Sequence, residues 1–126
     1  MSVKFRTVKR KNLQDPTAPP KNYAIVHAQE VTDIDGLSAL ISDKSTISRP
    51  DVYAVIMALL ETIISELQAG RAVKLGKLGS FSISVNSEGI ETAEEVTASL
   101  IKKARVVYRP GMEIKDMLKV LRYEKS

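Results

Sequence analysis

The residues best suited to binding chemistry in this sequence are cations that recur near its carboxyl-terminal end. Lys103 and Arg105 are two positions apart, and Arg105 and Arg109 are four apart, so an extended strand would place all three on one face. A row of positive charges can neutralise successive phosphate groups of a polyanion. The alternative is that the row is only the wet face of a half-buried sheet. With the adjacent Lys102, these residues form the first candidate site.

Four further cations are candidates for the same role. Lys115 lies in a short helical pattern from Met112 to Leu121, whose first N–H groups stand next to Arg109 and offer a second place for a phosphate. Glu113 in the first turn weakens that place. The other three surround a predicted turn and are nearer the acidic middle of the chain, so we expect them to matter less: Arg71, Lys74 and Lys77.

Patterns that superficially suggest catalysis fail on their spacing. His27 is the only histidine, and no Ser or Asp lies at a sequence spacing from it that indicates a catalytic arrangement. In the run from Gly70 to Lys77, five residues instead of four separate the glycines, and Leu78 stands where a phosphate loop needs a hydroxyl for magnesium. The sequence therefore predicts no enzyme, no cofactor and no small-molecule substrate.

A metal site is not predicted either. The acidic cluster Glu91, Glu94 and Glu95 lacks the turn glycine and the alternating Asp or Asn of a calcium loop, so a solvated acidic face is the preferred interpretation.

There is no cysteine, which fits a reducing cytosol. Because no apolar run reaches the roughly 18 residues of a spanning helix, we expect a cytoplasmic protein without membrane contact.

Charge is distributed unevenly along the chain. The formal net charge of the 126 residues is +4. Residues 1–21 carry six Lys and Arg against one acid, residues 22–101 carry five against eleven, and residues 102–126 carry eight against three. Two basic ends therefore flank an acidic middle. This favours a polyanion partner if the ends meet in space, and two solvated termini are the alternative.

The segment from Gly70 to Ser84 has the pattern of a β-hairpin. Apolar residues alternate with polar ones on both sides of its centre: Val73, Leu75, Phe81, Ile83 and Val85. Between the two runs, Gly76 and Gly79 accept the positive φ angle that a tight turn requires.

Two helices are predicted before this hairpin. The capping segment Thr32 to Asp35, with an acid three residues after Thr32, indicates the first, and Ser48 followed by Pro50 indicates the second. From Val52 to Leu67, twelve of sixteen residues are apolar, which indicates a core helix and excludes a helix that reads a DNA groove. Its apolar face is wider than one partner helix and a small sheet need, so part of it is expected to contact another chain.

The first thirty residues have a pattern of their own. Val3 to Val8 alternates as a strand does, Asn12 to Lys21 has three prolines and a loop composition, and Tyr23 to Ala28 is again apolar. We therefore predict a β-hairpin extension over residues 1–31, followed by a single domain over residues 32–126.

The order of these elements resembles the HU/IHF family of small histone-like bacterial DNA-binding proteins. Val73 to Phe81 is similar to that family's strand, Gly-aromatic-Gly turn and strand, with Leu78 in the aromatic position. Arg109-Pro110-Gly111, followed by Leu118, is similar to its Lys-Pro-Gly start of the last helix. The resemblance covers about residues 32 to 120 and fits an HU-like subgroup with an added amino-terminal segment.

The resemblance implies an α+β fold with a helical pair, a small antiparallel sheet, an arm and a short carboxyl-terminal helix. It implies a nucleoid protein in which two identical chains interlock through the second helix and the sheet. In that family the basic strand forms part of a saddle under the backbone of duplex DNA. If the two-fold axis doubles three or four charges, roughly six to eight phosphates are contacted without reading bases.

The segment from Asn86 to Leu100 departs from the family. HU-like proteins have a basic arm here, which enters the minor groove and wedges a proline between base pairs. This segment has no Lys, Arg or Pro, and Thr92 to Ser99 fits a helical turn as well as a strand. It carries four acids that phosphates repel: Glu88, Glu91, Glu94 and Glu95. The rival interpretation is therefore a dimer of the same fold that has lost DNA binding and serves as a structural or protein-interaction unit.

Overall fold

A computed structural model describes residues 1–27 and 30–126. The chain divides into two compact units, one made of Met1–Thr32 with Met117–Ser126 and the other of Asp33–Asp116. In chain order the elements are β1 (Val3–Arg10), β2 (Lys21–Val26), α1 (Ile34–Asp43), α2 (Arg49–Gln68), β3 (Val73–Lys74), β4 (Gly79–Ser87), β5 (Ile101–Pro110), α3 (Met112–Lys119) and β6 (Tyr123–Lys125). The α+β class is confirmed. None of the described helices is both long and apolar enough to cross a membrane.

Side-chain caps determine where the first two helices begin. Asp33 accepts a hydrogen bond from Gly36 N at 2.8 Å, and Ser48 accepts one from Asp51 N at 3.4 Å. Each bond satisfies one of the N–H groups that a helix start leaves without an intrahelical partner. The predicted cap at Ser48 is confirmed, and Pro50 lies in the first turn of α2 as expected. Within the predicted segment Thr32 to Asp35, the residue that caps α1 is Asp33, one position after Thr32.

The hairpin and the basic strand form one antiparallel sheet in the order β3-β4-β5. Directly opposed residues in such a sheet point to the same side. The register pairs Phe81 with both Val73 and Tyr108, and the Phe81 and Tyr108 rings lie 4.9 Å apart between centroids. The predicted strands are thereby confirmed, and β4 continues to Ser87, beyond the predicted alternation.

A short 3₁₀ turn from Gly76 to Leu78 joins β3 to β4. Gly76 and Gly79 have φ angles of 56° and 120°. Both values lie in the region that residues with a Cβ avoid. The turn is held against the end of β5, since Gly111 N donates to Leu78 O at 3.2 Å.

Substituting Ala at Gly79 is expected to prevent stable folding. A Cβ there would lie 2.1 Å from Arg109 O, a backbone atom that cannot move without breaking the sheet. At Gly76 a Cβ meets nothing within 4 Å, so Gly76→Ala should lose only the roughly 1–2 kcal/mol of a left-handed residue. Urea denaturation measures both variants, and equal free energies of unfolding would contradict this account.

Between β4 and β5 the chain forms two single 3₁₀ turns, Ala93–Glu95 and Ala98–Leu100. Of the two alternatives left open for this segment, short helical turns are therefore found instead of a strand. No hydrogen bond between side chain and backbone caps either turn.

The unit of Met1–Thr32 with Met117–Ser126 contains a second sheet, in the order β2-β1-β6. The predicted amino-terminal hairpin is present as the antiparallel pair β1 and β2. The predicted second strand ended at Ala28, which lies outside the described residues, and β2 ends at Val26. β6 runs parallel to β1 and was not predicted, because three residues are too few to show an alternation. The last helix is shorter than predicted and ends at Lys119.

Candidate nucleic-acid interface

The sheet register collects four of the predicted cations on one face. Lys74 is opposite Ser80, and Ser80 is opposite Arg109. Arg105 is opposite Ser84, and Lys103 is opposite Asn86. Since opposed residues point to the same side and alternate residues of a strand share a face, these cations form one surface. We call it the basic face: Lys74, Lys103, Arg105 and Arg109, all exposed.

Small polar side chains of the central strand lie between these cations. They occupy every second position of β4: Ser80, Ser82, Ser84 and Asn86. The three serines are half-buried, and hydroxyl and amide groups can donate hydrogen bonds to phosphate oxygens. These side chains were not predicted as part of the site, although their strict alternation was a usable signal. They make the central strand of the basic face polar and uncharged, and the half-buried Val107, opposite Ser82, lies beside them between Arg105 and Arg109.

The other predicted candidates are not among the paired strand residues that form the basic face. Lys102 is the extra residue at an irregularity in the pairing of β4 with β5, and its Nζ lies 3.3 Å from Glu88 Oε1. Lys77 is in the 3₁₀ turn before β4. Lys115 is in the second turn of α3, and its N–H donates to Gly111 O. All three side chains are exposed.

Arg71 is held by an acid at the end of α2. Gly70, with φ of 81°, ends the helix: its N–H donates to Leu67 O, and Arg71 N donates to Glu66 O. This is the paired bonding of a Schellman motif. The Arg71 side chain turns back, so that its Nε donates to Glu66 Oε2 at 2.5 Å. The Arg71 guanidinium, which was predicted to contact a phosphate, therefore already has a carboxylate partner in Glu66.

The hydrogen bond between these two side chains, reinforced by their charges, lowers the pKa of Glu66 and raises that of Arg71. Because the folded-state pKa of Glu66 is lowered, the pair stabilises the fold above the ordinary pKa of a glutamate and loses this effect as the pH falls through the folded value. Both side chains are largely exposed, so solvent screening keeps the contribution small.

Contacts at the end of β5 keep the basic face in place. Tyr108 Oη donates to Leu78 O at 2.6 Å, which ties the strand to the turn before β4. A Cβ on Gly111 would lie 2.5 Å from Lys77 O, so only glycine permits this approach. The Arg109-Pro110-Gly111 segment thus fixes where Arg109 leaves the sheet.

The opposite face of the same sheet is apolar and incompletely covered. A cavity of about 410 Å³ opens between α2 and the sheet, lined by Ile64, Leu67, Gln68, Ile83 and Val106. Ile64 is 60% exposed and Val106 57%. Among the described residues, Val52, at 5% exposure, is the only hydrophobic side chain that counts as buried. The predicted excess of apolar surface on α2 is present.

The whole length of the chain matches one protein family. Residues 1–125 match the family described as "HU domain fused to wHTH, Ig, or Glycine-rich motif". The chain belongs to this family. The predicted relationship to HU and IHF is thereby confirmed, and the match includes the amino-terminal hairpin of this HU domain. The HU and IHF proteins are DNA-binding architectural proteins of the nucleoid and not a family of enzymes.

Individual relatives agree with this assignment. The integration host factor subunit beta of Tolumonas auensis is 25% identical over 95 residues, which cover 72% of this chain and 100% of the relative. Anabaena HU, solved as an HU–DNA cocrystal, is 20% identical with a TM-score of 0.53, covering 70% of this chain and 98% of its own. A candidate DNA-binding protein from Bacteroides vulgatus has a TM-score of 0.67 at 15% identity and covers 98% of this chain. The HU domain spans about half (48%) of that structure.

Proposed function

We propose that this HU domain binds duplex DNA as a homodimer, without sequence preference, mainly through phosphate contacts of the basic face. The observation that carries the proposal is the register that places Lys74, Lys103, Arg105 and Arg109 on one exposed surface. The relative solved as an HU–DNA cocrystal supports DNA as the polyanion. The nucleoid is accordingly the proposed location.

The chemistry of the basic face favours phosphates over bases. Its cations lie on the two outer strands, β3 and β5, of a three-stranded sheet, and alternate residues of one strand are about 7 Å apart. The serines between them are short and half-buried, so they suit hydrogen bonds to a backbone lying on the surface better than contacts deep in a groove. Contacts to phosphates position a protein on DNA but carry no sequence information.

The exposed apolar surface supports the homodimer. A unit of this size with one buried hydrophobic side chain among its described residues cannot offset the entropy of folding by itself. A second copy laid on α2 and the apolar face of the sheet would cover Ile64, Ile83 and Val106. Because one relative is named as a beta subunit, pairing with a different HU-type chain is the competing arrangement.

A salt titration of the purified chain tests the proposal. Fluorescence anisotropy with several unrelated duplexes should show similar affinities, and the logarithm of the affinity should fall linearly with the logarithm of the salt concentration. The slope expected from the basic face alone has a magnitude of about five to seven, for six to eight phosphates, and any further contact surface would add to it. Strong preference for one duplex would contradict the non-specific mode.

The acidic segment between β4 and β5 favours the second candidate function, a structural or protein-interaction dimer without DNA binding. Its four glutamates remain exposed in the structure. Absence of duplex binding even at about 50 mM salt, where phosphate contacts are strong, would exclude the DNA proposal and leave this candidate.

Bound DNA is expected to show little or no sharp bend. Unstacking a base step costs a few kcal/mol, and residues 88–100 supply no proline and no cation to offset it. Energy transfer between dyes at the two ends of a duplex of about 30 base pairs measures the bend. A large increase in transfer on binding would show that the acidic segment, or another part of the chain, deforms DNA.

A further inference from the structure

The unit that contains the amino-terminal hairpin is the most basic part of the chain. Its residues, 1–32 and 117–126, carry nine Lys and Arg against three acids, a net charge of +6. Residues 33–116, which include the basic face, carry ten against twelve, a net charge of −2. The proposed DNA-binding surface is thus a basic patch on an acidic unit, whereas the hairpin unit is basic throughout.

Cations of this unit gather on one face of its sheet. Lys4, Arg6 and Arg10 are alternate residues of β1 on the face that also carries Val8. The register adds Lys21 and Tyr23 of β2, which are opposite Arg10 and Val8. Glu124 of β6, opposite Lys4, is the one acid on this face among the paired strand residues that the structure describes. We call its cationic part the hairpin face: Arg6, Arg10 and Lys21.

Two of these cations are direct cross-strand neighbours. Arg10 and Lys21 are paired in the register, and like charges in this position destabilise a sheet. The ion pairs of the described residues are Arg49–Asp35, Arg71–Glu66 and Lys102–Glu88. None of them involves the hairpin face. A repulsive pair left without a carboxylate is relieved when an anion binds between its members.

The surface beside this pair is concave. A cavity of about 560 Å³ at the end of the hairpin is lined by Arg10, Lys11, Lys21 and Tyr23, together with loop residues that include Asn12 and Gln14. Three cations and two amides therefore surround one place, where an oxyanion can accept several charge-assisted hydrogen bonds. The lining contains no Asp or Glu.

We infer that the hairpin face is a second contact surface for the phosphates of duplex DNA, separate from the basic face. The inference rests on the proposed function, which supplies DNA as the polyanion. It is carried by the charge of the hairpin unit, the opposed pair Arg10 and Lys21, and the concave site beside them. Cations on alternate residues and on neighbouring strands suit a ligand whose negative charges repeat, as those of a nucleic-acid backbone do.

The apolar residues of this face do not favour a membrane. Its large aliphatic side chains, Val8 and Ile25, are half-buried, and peripheral membrane binding requires exposed apolar residues that enter the lipid. The exposed large apolar side chains here are single ones, Tyr23 on this face at 47% and Leu13 in the loop that lines the cavity at 93%. The hairpin face is therefore suited to ionic contacts at a surface.

The test compares two double variants that remove equal charge from opposite faces of one sheet. Arg6→Gln with Arg10→Gln neutralises the hairpin face. Lys9→Gln with Lys125→Gln neutralises the other face, since Lys9 alternates with Arg10 and Lys125 is opposite Phe5. A third variant, Arg105→Gln with Arg109→Gln, neutralises the basic face. All are measured by salt titration with the same duplexes, after circular dichroism confirms the fold.

The hairpin-face variant should bind duplex DNA at least about tenfold more weakly at 100 mM salt. The slope of log affinity against log salt should be smaller by about two for each chain that contacts the DNA. The Lys9 and Lys125 variant should change affinity by about twofold or less. Equal affinities for these two variants, with a loss only in the Arg105 and Arg109 variant, would overturn the inference and leave the proposed function standing. Absence of binding by the unsubstituted chain would overturn both. The inference would also be overturned if the hairpin-face variant kept its affinity for duplexes but lost binding to anionic lipid vesicles. That result would assign the hairpin face to membranes.

Discussion

Substituting Gln for both Arg105 and Arg109 is expected to lower the affinity for every duplex by about 10²- to 10³-fold at 100 mM salt. A homodimer loses four charges, and about 0.9 counterion is released for each phosphate neutralised, so the slope should shrink by about three to four units. The loss should be the same for unrelated sequences, because the two side chains position the DNA backbone and read no bases. Salt titrations with the duplexes used for the unsubstituted protein give both quantities.

Arg71→Gln is the control for this result. It removes an exposed arginine of the same unit, but one whose guanidinium is hydrogen-bonded to Glu66. The slope should therefore change by much less than the roughly 0.9 unit per chain expected for an arginine that contacts a phosphate. If Arg71→Gln weakens binding as much as a single substitution at Arg105, the basic face has no special role and only the total charge of the unit matters.

Substituting Lys at Ile64 is expected to abolish the dimer and, with it, the folded state. Ile64 lines the apolar cavity between α2 and the sheet and is 60% exposed in the single chain. A homodimer that buries it gains about 1.5–3 kcal/mol per chain. A lysine there would have to be buried without a partner or keep the chains apart. Since a single chain has too little core, separation means unfolding.

Ala58→Lys is the matched control on the same helix. Ala58 is an exposed residue of α2 and lies about 120° around the helix axis from Ile64. Sedimentation velocity and circular dichroism should show a folded dimer for Ala58→Lys and an unfolded chain for Ile64→Lys. A folded monomer of either the Ile64→Lys variant or the unsubstituted protein at micromolar concentration would contradict obligate dimerisation.

Much of the unit Asp33–Asp116, here called the central unit, could be predicted from sequence, because the sequence patterns that determine its elements act between near neighbours in the chain. The caps at Asp33 and Ser48 act within three residues, and the glycines at 76 and 79 are required by the positive φ angles of one turn. Alternation in β5 also placed Lys103, Arg105 and Arg109 on a common face. A periodic pattern gives the face of a strand without knowledge of its neighbours.

The composition of the basic face depends on pairing between distant residues, which a single sequence does not give. Lys74 was expected to matter less because it is near the acidic middle of the chain, yet the register of β3 and β4 places it on the face of Arg109. Lys102 was grouped with its neighbour Lys103, but the irregular pairing of β5 separates the two and leaves Lys102 near Glu88. Whether these placements determine DNA affinity stays a prediction.

The hairpin face was not anticipated for the same reason. Residues 1–21 were known to be basic, but the opposition of Arg10 and Lys21 follows only from the register across an eleven-residue span. The position of β6 was even less predictable, because no residue near Tyr123 indicates that Tyr123 pairs with Val3. Long-range strand pairs of this kind carry almost no local signal.

The parallel pairing of β6 with β1 has a consequence for the order of folding. It joins residues 120 positions apart, and a contact of such high sequence separation carries a large closure entropy and forms slowly. The central unit has contacts between residues that are closer along the chain, so it can fold first. Its folding then shortens the loop that must close to bring β6 beside β1. β6 is held by only three paired residues, so it should also be the first strand to open. Arg6, Arg10 and Lys21 belong to β1 and β2, so their surface can assemble before the last strand of its sheet is added.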